Sequence, residues 1–532
     1  MTENQQACSF IFIYGPPGSG KTTIGTALAA ALKLDFLDLD AYLEEKTGMS
    51  IAEYFQSNGE AAFRELESEA LAEVCGRENR QMVLSLGGGT LLQPENRRQV
   101  EALGQVICLM ASEETLAANL ALQEGVRPLL NGDLQERLHL LLKARQSHYD
   151  SFPQLTVNGS SVLQVVEKLQ NKLGRFLISG MGAGTDVIVK SGILSSVGNC
   201  LLAHGLKGPV ALVSDEHVAP LYAQKVLDSL TAAGYTASLI VIPAGEAHKT
   251  LESVSRLWQE FLAAGLERGS TVVALGGGVL SDLAGFAAAT YLRGIPWVVC
   301  PTSLLSMADA SLGGKTGADL PQGKNLIGAF HAPALVLTDP DCLLTLPQVE
   351  LINGLGEVVK HGIISEAQLY HRCQSHDWQL DLEGLVRQAV QVKIRVINED
   401  PYEKGRRAVL NLGHTIGHAL ELVSDFQLRH GEAVAIGLVV ETQIAVQLGL
   451  AQPELPEDIC GTLINLGLPV NIPAGMDLGR VLQVMKRDKK KSAGDVKFAL
   501  PEKIGAVQYG ISVDAHLVEK ILIGLQKDSS AD

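Results

Sequence analysis

The chain has 532 residues, too many for one compact domain and enough for three or four. Its 43 basic and 59 acidic side chains leave a formal charge of −16, which argues against a surface that coats nucleic acid or an anionic membrane. Hydrophobic residues make up 46% and charged ones 19%, a composition that builds folded cores and excludes general disorder. From residue 9, short apolar runs alternate with helical stretches. Ser9–Tyr14 predicts a strand that ends in a glycine-rich turn, and residues 21–33 predict a helix with Ile24, Leu28, Ala31 and Leu32 on one face. Gln81–Leu86 and Gln105–Met110 predict buried strands, and 133–149 and 161–173 predict helices. This βαβ alternation implies a parallel sheet. Gly174 is a helix stop. Beyond it, Phe176–Ser179, Val187–Lys190, Val210–Ser214, Leu239–Ile242, Thr271–Leu275 and Trp297–Cys300 predict strands with helices between. From about residue 348 the strand signal fades, and 383–397, 411–423, 432–448 and 477–486 predict helices. The expected fold class is α/β: a parallel-sheet domain over 1–174, an α/β nucleotide-binding domain over 175–347 and an all-α domain over 348–532.

The eight cysteines, Cys8, Cys75, Cys108, Cys200, Cys300, Cys342, Cys373 and Cys460, form no C-x-x-C pair, which predicts buried reduced thiols and no thiolate metal site. The N-terminus has no basic n-region before a long apolar run, and no stretch approaches about 18 unbroken apolar residues. The expected location is cytoplasmic, with neither membrane nor nucleic acid as partner.

GPPGSGKT, Gly15 to Thr22, fits G-x-x-x-x-G-K-[ST] and stands between a strand and a helix, where that motif has its mechanism. Backbone amides of the loop surround phosphate oxygens, the lysine neutralises the β- and γ-phosphates, and the threonine ligates Mg²⁺. Asp38 and Asp40 follow the second strand candidate, Arg64 lies in GEAAFRELE, Gly87-Gly88-Gly89 follows the third strand, and Arg127 and Arg145 lie in VRPLL and KARQSHY. In this order and spacing the first 165 or so residues resemble shikimate kinase, a P-loop kinase with a parallel sheet. The resemblance implies ATP contacts from Gly18, Ser19, Gly20, Lys21, Thr22, Thr23 and Arg127, with Mg²⁺ held by Thr22 and, through water, Asp38. It implies that Asp40, Arg64, Gly88 and Arg145 bind shikimate, that Arg64 and Arg145 grip its carboxylate, and that Lys21, Asp40 and the lid residue Arg127 are catalytic.

GGGVLSD, Gly276 to Asp282, follows a strand and opens a helix, which is dinucleotide-binding logic without the G-x-G-x-x-G string. Glu357, His414 and His430 are one carboxylate and two imidazoles in glycine-bearing segments, a set that leaves open positions on a catalytic zinc. Arg293, Lys315, Lys324, Lys360, Lys393 and Arg407 stand in or beside these motifs on an otherwise acidic chain, which fits a substrate carrying phosphate and carboxylate. LSDLAGF, YLRG, ADASLGGKTG, GKNLIGAF, GLGEVVKHG, LNLGHTIGHALE, HGEAVAIG and Asp488-Lys489-Lys490 occur in order, and residues from about 176 to 525 resemble 3-dehydroquinate synthase. The resemblance implies a Zn or Co ion on Glu357, His414 and His430. It implies NAD contacts from Ala244, Gly245, Glu246, Ala247, His248, Lys249, Gly277, Gly278, Asp282, Thr302, Ser303, Lys315, Lys324, Cys342, Leu343, Leu344 and Thr345. The substrate would meet Arg293, Asp309, Lys315, Lys324, Asn325, Lys360, Lys393, Arg407, Asn411, His418, Lys489 and Lys490, with Lys315, Lys360 and His418 catalytic. Which of Lys489 and Lys490 faces it stays open. The family is dimeric, and Arg293 would cross to a partner's site.

The implied chemistry is a redox cycle that returns its cofactor: oxidation of a carbinol in DAHP, phosphate elimination, reduction, ring opening and aldol closure to 3-dehydroquinate. The expected whole is one polypeptide with two shikimate-pathway activities. Two alternatives compete with it. A metal-dependent polyol dehydrogenase would release NADH and need no cluster of pocket cations. A degenerate nucleotide-binding module would bind ATP without phosphorylating shikimate, but the intact Lys21, Thr22, Asp40, Arg64 and Arg145 argue against decay.

Overall fold

Five apolar residues in a row make β1 (Phe10–Tyr14) buried along its whole length, as a central strand of a parallel sheet must be. In the computed structural model, which describes residues 10–76, 81–122, 133–375, 377–491 and 496–526, β1 lies mid-sheet. It pairs in parallel with β3 (Met82–Ser85) and β4 (Gly104–Met110), and the edges are β2 (Asp35–Asp38) and β5 (Gln154–Thr156). The connecting helices are α1 (Lys21–Leu32), α2 (Leu39–Thr47), α3 (Ile51–Cys75), α4 (Pro94–Leu103), α5 (Glu113–Ala121), α6 (Leu134–Tyr149) and α7 (Val162–Leu173). The apolar stripe of α1, Ile24, Leu28 and Leu32, joins Val165, Leu169 and Leu173 of α7 in one core cluster. A second cluster gathers Phe63 and Leu71 of α3 with Leu138 and Leu142 of α6. By density of contacts the chain divides into two units, one of residues up to Leu177 with Ser195–Lys207 and Asp228–Tyr235, the other of the remainder.

The second sheet runs β6 (Arg175–Ile178), β7 (Thr185–Val189), β14 (Leu335–Thr338), β11 (Trp297–Pro301), β10 (Ser270–Gly276), β8 (Lys207–Asp215), β9 (Ala237–Ile242) in spatial order. Chain order moves outward from β8 to β9, then returns to β10 on the other side of β8 and continues to β11. The winding therefore reverses between β8 and β10, and open α/β sheets bind ligands at the carboxyl ends of strands at that point. The helices are α8 (Val197–Ala203), α9 (Ala219–Ala232), α10 (Leu251–Ala263) and α11 (Gly278–Thr290). An antiparallel hairpin, β12 (Lys315–Leu320) and β13 (Gly323–Phe330), follows β11.

Beyond β14 come α12 (Gln348–Ser365), α13 (Ala367–Gln374), α14 (Leu382–Glu399), α15 (His414–Val423), α16 (His430–Gln447), α17 (Leu455–Asn465), α18 (Leu478–Lys491) and α19 (Ala515–Leu525). The all-α expectation for 348–532 needs correction, because β15 (Lys497–Lys503) and β16 (Ala506–Ser512) form a hairpin between the last two helices. Its strand signal is hidden by Pro501, which sits beside a register irregularity, one of the few places a sheet tolerates proline. The helix expected from 411 begins at His414, after Gly413 in the left-handed region. Cys75, Cys108, Cys300, Cys342, Cys373 and Cys460 are free thiols as expected. Cys200 is disulfide-bonded, which no local C-x-x-C spacing announces. Among the described residues no helix is long and apolar enough to cross a membrane.

Glycines let α12, α15 and α16 touch through their backbones. A methyl group added at Gly431 would lie 1.8 Å from the Asn353 carbonyl oxygen, at Gly437 1.9 Å from that of Gly413, and at Gly356 2.6 Å from that of Gly431. Gly461, exposed in α17, has nothing within 4 Å. Gly431→Ala is therefore expected to destabilise its unit by about 1–3 kcal/mol. Gly461→Ala should stabilise it by about 0.5–1 kcal/mol through the lost chain entropy of glycine. Urea unfolding of the two variants in parallel checks both signs.

Candidate active sites

In the first unit the loop after β1 is shaped by glycines that only a missing side chain permits. A methyl at Gly15 (φ 138°) would lie 2.3 Å from the Leu109 carbonyl oxygen, and at Gly18 (φ 79°) 2.6 Å from that of Leu116. Gly20, left-handed as well, precedes α1 and gives it no side-chain cap, so the first amides of the helix remain available to an anion. Lys21 Nζ donates to the carbonyls of Gly15 and Pro16, each at 3.0 Å, and so lies over the loop. Thr22 Oγ1 donates to Asp38 Oδ2 at 2.6 Å. Asp38 Oδ1 caps α2 by accepting from the amides of Asp40 and Ala41, which leaves the pair of oxygens on Thr22 and Asp38 together at the mouth of the loop.

The segment 87–89 gathers the other predicted residues. A methyl at Gly87 would lie 3.0 Å from Asp40 Oδ1, and one at Gly89 2.8 Å from Arg64 Nη2. The Gly88 carbonyl accepts from Arg145 Nη1 at 2.9 Å, Tyr149 hydroxyl at 3.0 Å and Tyr14 hydroxyl at 3.3 Å. Asp40, Arg64 and Arg145 thus surround the short backbone segment that contains Gly88. The sequence reading missed Glu67, which is buried, pairs with Arg64 Nη1 at 2.7 Å and accepts from Thr90. Its place one helical turn after Arg64 was the available signal. Tyr14 and Tyr149 were also missed; both are buried and carry no polar pattern in the sequence. Arg127 lies outside the described residues.

In the second unit Glu357 of α12, His414 at the start of α15 and His430 at the start of α16 bring one ligand atom each to within 4.8 Å of one another. Glu357 Oε1 is 3.3 Å from His414 Nε2 and 3.2 Å from His430 Nε2. The far nitrogens are committed elsewhere: His414 Nδ1 bonds the Leu412 carbonyl at 3.0 Å and His430 Nδ1 bonds Glu421 Oε2 at 3.3 Å. That is the arrangement by which outer partners fix the tautomer and aim of metal-binding imidazoles. One carboxylate and two imidazoles with their Nε2 atoms converging suit zinc or cobalt. Burial would raise the Glu357 carboxyl, but Lys360 beside it, then His414 and His430, hold it well below the usual range. Burial would lower His430, but hydrogen bonds to Glu357 and Glu421 push it up to about 10, so a cation there must displace a proton.

The cations divide. Lys360 is buried against Glu357 Oε2. Lys393, also buried, bonds Asp309 Oδ1 at 2.6 Å, and His361 bridges the two pairs, 3.8 Å from Asp309 and 4.0 Å from Glu357. Burial and then Lys360 depress His361 to about 4, which keeps it neutral near pH 7. Arg407 is buried beside Gly313, in the turn that follows Asp309. By contrast Lys315 is half exposed and pairs with Glu403 at 2.7 Å, and Lys324 pairs with Glu246 at 3.2 Å under the Phe426 ring. Arg293 and Asn411 are exposed, and Arg293 stands in a turn with left-handed backbone. His418 is exposed at the edge of the triad, its ring centroid 5.0 Å from that of His414. Lys489 and Lys490 belong to α18, and their side chains lie outside the described residues.

At the reversal of the sheet, Gly276-Gly277-Gly278 ends β10 and opens α11 without a side-chain cap. A methyl at Gly276 would lie 3.2 Å from Asp215 Oδ2 at the end of β8, and Thr302 donates its amide to the Gly276 carbonyl at 3.0 Å. Ser303 Oγ stands 3.6 Å from where Gly277 would carry a side chain. Lys249, buried, bonds Asp282 Oδ2 and Asn325 Oδ1, each at 2.6 Å. Tyr222 ties down the 342–345 segment through the Cys342 carbonyl at 3.5 Å and Thr345 Oγ1 at 2.5 Å. Ala244 donates its amide to Glu216, while Gly245 to His248 and Leu344 are exposed. Asp215 was not singled out from sequence, although the switch-point rule points to the ends of both β8 and β10.

Three family models match the chain: shikimate kinase over residues 17–174, 3-dehydroquinate synthase N-terminal over 239–353 and 3-dehydroquinate synthase C-terminal over 354–491. The chain is 41% identical over 350 residues to 3-dehydroquinate synthase of Nostoc punctiforme, covering 64% of this chain and 96% of that one. It is 44% identical over 330 residues to the same enzyme of Thermosynechococcus vestitus, covering 60% and 89%. Among solved structures, 2-epi-5-epi-valiolone synthase of Streptomyces hygroscopicus subsp. jinggangensis, with NAD⁺ and Zn²⁺ bound, aligns with TM-score 0.60 at 29% identity, covering 65% of this chain and 98% of that one. A 2-deoxy-scyllo-inosose synthase, complexed with carbaglucose-6-phosphate, NAD⁺ and Co²⁺, shares the fold with TM-score 0.58 at 24% identity, covering 65% and 99%. The chain belongs to the 3-dehydroquinate synthase family, with a shikimate kinase domain joined ahead of it, and is a bifunctional enzyme of the shikimate pathway.

Proposed function

We propose that each site works with the cofactor set of its family: MgATP and shikimate in the first unit, and DAHP with NAD and a Zn or Co ion in the second. The observation that carries this reading is the convergence of Glu357, His414 and His430 beside buried Lys360 and Lys393 on a chain of net charge −16. NAD-bound and metal-bound relatives of the same fold support it. The division at 174 and near 348 belongs to the proposal and is supported by the limits of the family models. A homodimer formed through the synthase part also belongs to it.

In the kinase, the amides of residues 18–23 and Lys21 hold the transferring phosphates, and Thr22 with Asp38 holds Mg²⁺. Asp40 faces the substrate hydroxyl and takes its proton. Arg64, kept in place by Glu67, and Arg145, kept in place by the Gly88 carbonyl, grip the carboxylate. Arg127 meets the transferring phosphoryl group.

In the synthase, Glu357, His414 and His430 would hold the divalent ion, and the 244–249, 277–282, 302–303 and 342–345 segments would hold the dinucleotide. When bound, these groups supply Lewis-acid polarisation of the carbinol oxygen and reversible hydride transfer. Lys393, Arg407 and Lys360 bind the substrate anions, and Asp309 and Glu357 keep the two lysines oriented. The substrate's own phosphate oxygen can accept the proton lost before elimination, and exposed His418 exchanges it with solvent. Lys315, Lys324, Asn325, Asn411, Arg293 and one of Lys489 and Lys490 complete the substrate contacts.

Purified protein is expected to release phosphate from DAHP with catalytic NAD and no accumulating NADH; stoichiometric NADH without phosphate would point instead to a dehydrogenase. Lys21→Ala should abolish kinase turnover, by at least about a hundredfold from the lost electrostatic stabilisation, and leave synthase turnover near parental. His414→Ala, or a chelator of Zn²⁺ and Co²⁺ applied with Mg²⁺ in excess, should silence the synthase alone. Coupled assays of both activities on each variant check this, and loss of both activities from either change would refute independent sites.

A further inference from the structure

Helix α15 begins at His414, yet the residue before it is Gly413, with φ 77° and no side chain to cap the helix. The first amides of α15 therefore lack the usual local acceptor. An acceptor arrives from another helix. Glu441 of α16 accepts the Gly413 amide on Oε2 at 2.5 Å, and the amides of Thr415 and Ile416 face the same carboxyl group. Glu441 is fully buried, and its Oε1 has no hydrogen-bond partner. Its neighbours along α16, Val439, Val440, Ile444 and Ala445, are buried and apolar. A methionine there would pack as well and avoid the cost of burying a carboxyl group. The first turn of α15 is what the carboxyl group serves.

Gly413 lies between His414 and Leu412, whose carbonyl helps to set the aim of His414. On one side, Leu412 offers its carbonyl to His414 Nδ1 at 3.0 Å. On the other, His414 presents Nε2 to Glu357 Oε1 at 3.3 Å. The Gly413 carbonyl presses on Gly437, where a methyl would lie only 1.9 Å away, so this peptide is pinned to α16 on its carbonyl side by packing and on its amide side by Glu441. We propose that Glu441 is a positioning residue for the metal centre: by capping α15 from the neighbouring helix it fixes the rotation of the first turn and thereby directs His414 Nε2 to the cation. Without an acceptor the buried amides would seek other partners, and the imidazole would turn with them. The inference rests on the reading of Glu357, His414 and His430 as a metal site.

The test uses the full chain and Co²⁺ alone, followed by visible d–d absorption, with kinase turnover and thermal unfolding as controls. Glu441→Gln keeps a carbonyl acceptor, whereas Glu441→Met removes it. The methionine variant is expected to bind Co²⁺ about 10–100-fold more weakly, as when outer partners of metal ligands are lost, with an altered band shape. The glutamine variant should stay close to the parent, and both should keep kinase turnover. A methionine variant that is less stable but binds Co²⁺ with parental affinity and spectrum would reduce Glu441 to a structural role and overturn the inference. So would equal weakening in both variants. If the methionine variant does not fold, Glu441→Asp, which withdraws the carboxyl group by one methylene, must show the weakening. A parent protein with no Co²⁺ spectrum would sink the metal reading itself, and the inference with it.

Discussion

Backbone contact among three helices is the constraint on which the second site depends. The candidate donors sit next to glycines that permit the contact: Gly356 beside Glu357, Gly413 beside His414 and Gly431 beside His430. The interaxial spacing of ordinary helices, about 8–10 Å, leaves room for side chains between axes. Here the carbonyls of Asn353 and Gly413 occupy the space where the Cβ of residues 431 and 437 would be. Closing that distance lets one short carboxylate and two imidazoles meet at 3.2 and 3.3 Å without stretching from their helices. The Asn353 side chain reinforces it by accepting the Gly431 amide at 2.6 Å.

Once the helices are that close, the charges have no solvent to relax into, and pairing decides which ionisation states survive. Glu357 and Asp309 are each matched by a buried lysine. Burial would raise both carboxyl groups and yet both are held low, because the neighbouring lysines and histidines together outweigh desolvation. Breaking such a pair on one side costs about 3–5 kcal/mol, whereas an apolar replacement of the whole set would often be neutral or stabilising. Stability alone does not explain three buried charges and the half-buried Asp309 set together along α12, α14 and the short 306–310 helix. An anionic substrate and a cation do.

Most of the architecture was legible because period and punctuation agreed. FIFIY followed by a glycine loop, the apolar stripe of α1 and the glycine stop at Gly174 each carry one local meaning, and the structure has β1, α1 and the end of α7 where those signals lie. What escaped were elements whose pairing, not their composition, creates them. The hairpins β12–β13 and β15–β16 contain glycine, lysine and proline and are strands only because a partner lies alongside. The same holds for the sites. Glu357, His414 and His430 stood out by residue type. Glu67, Glu421 and Glu441 did not, because a glutamate that orients a functional group looks in sequence like any glutamate on a helix. The cations differ in burial, which residue type does not announce: Lys360, Lys393 and Arg407 are buried near Asp309, while Lys315, Lys324 and Arg293 are half exposed or exposed.

The two sites also meet phosphate by opposite means, and the difference follows from what each must do. The kinase loop offers backbone. Gly15, Gly18 and Gly20 adopt left-handed or otherwise forbidden conformations so that amides can point inward, and a single lysine adds charge. Backbone donors are rigid and indifferent to pH, which suits a phosphoryl group that passes through without protonating its holder. The synthase pocket offers ionisable side chains instead, lysines and imidazoles set against carboxylates. Such groups can share protons with a substrate, which suits the phosphate elimination proposed for this site. Loop glycines and buried ion pairs are therefore not two versions of one anion site, and a change that repairs one would do nothing for the other.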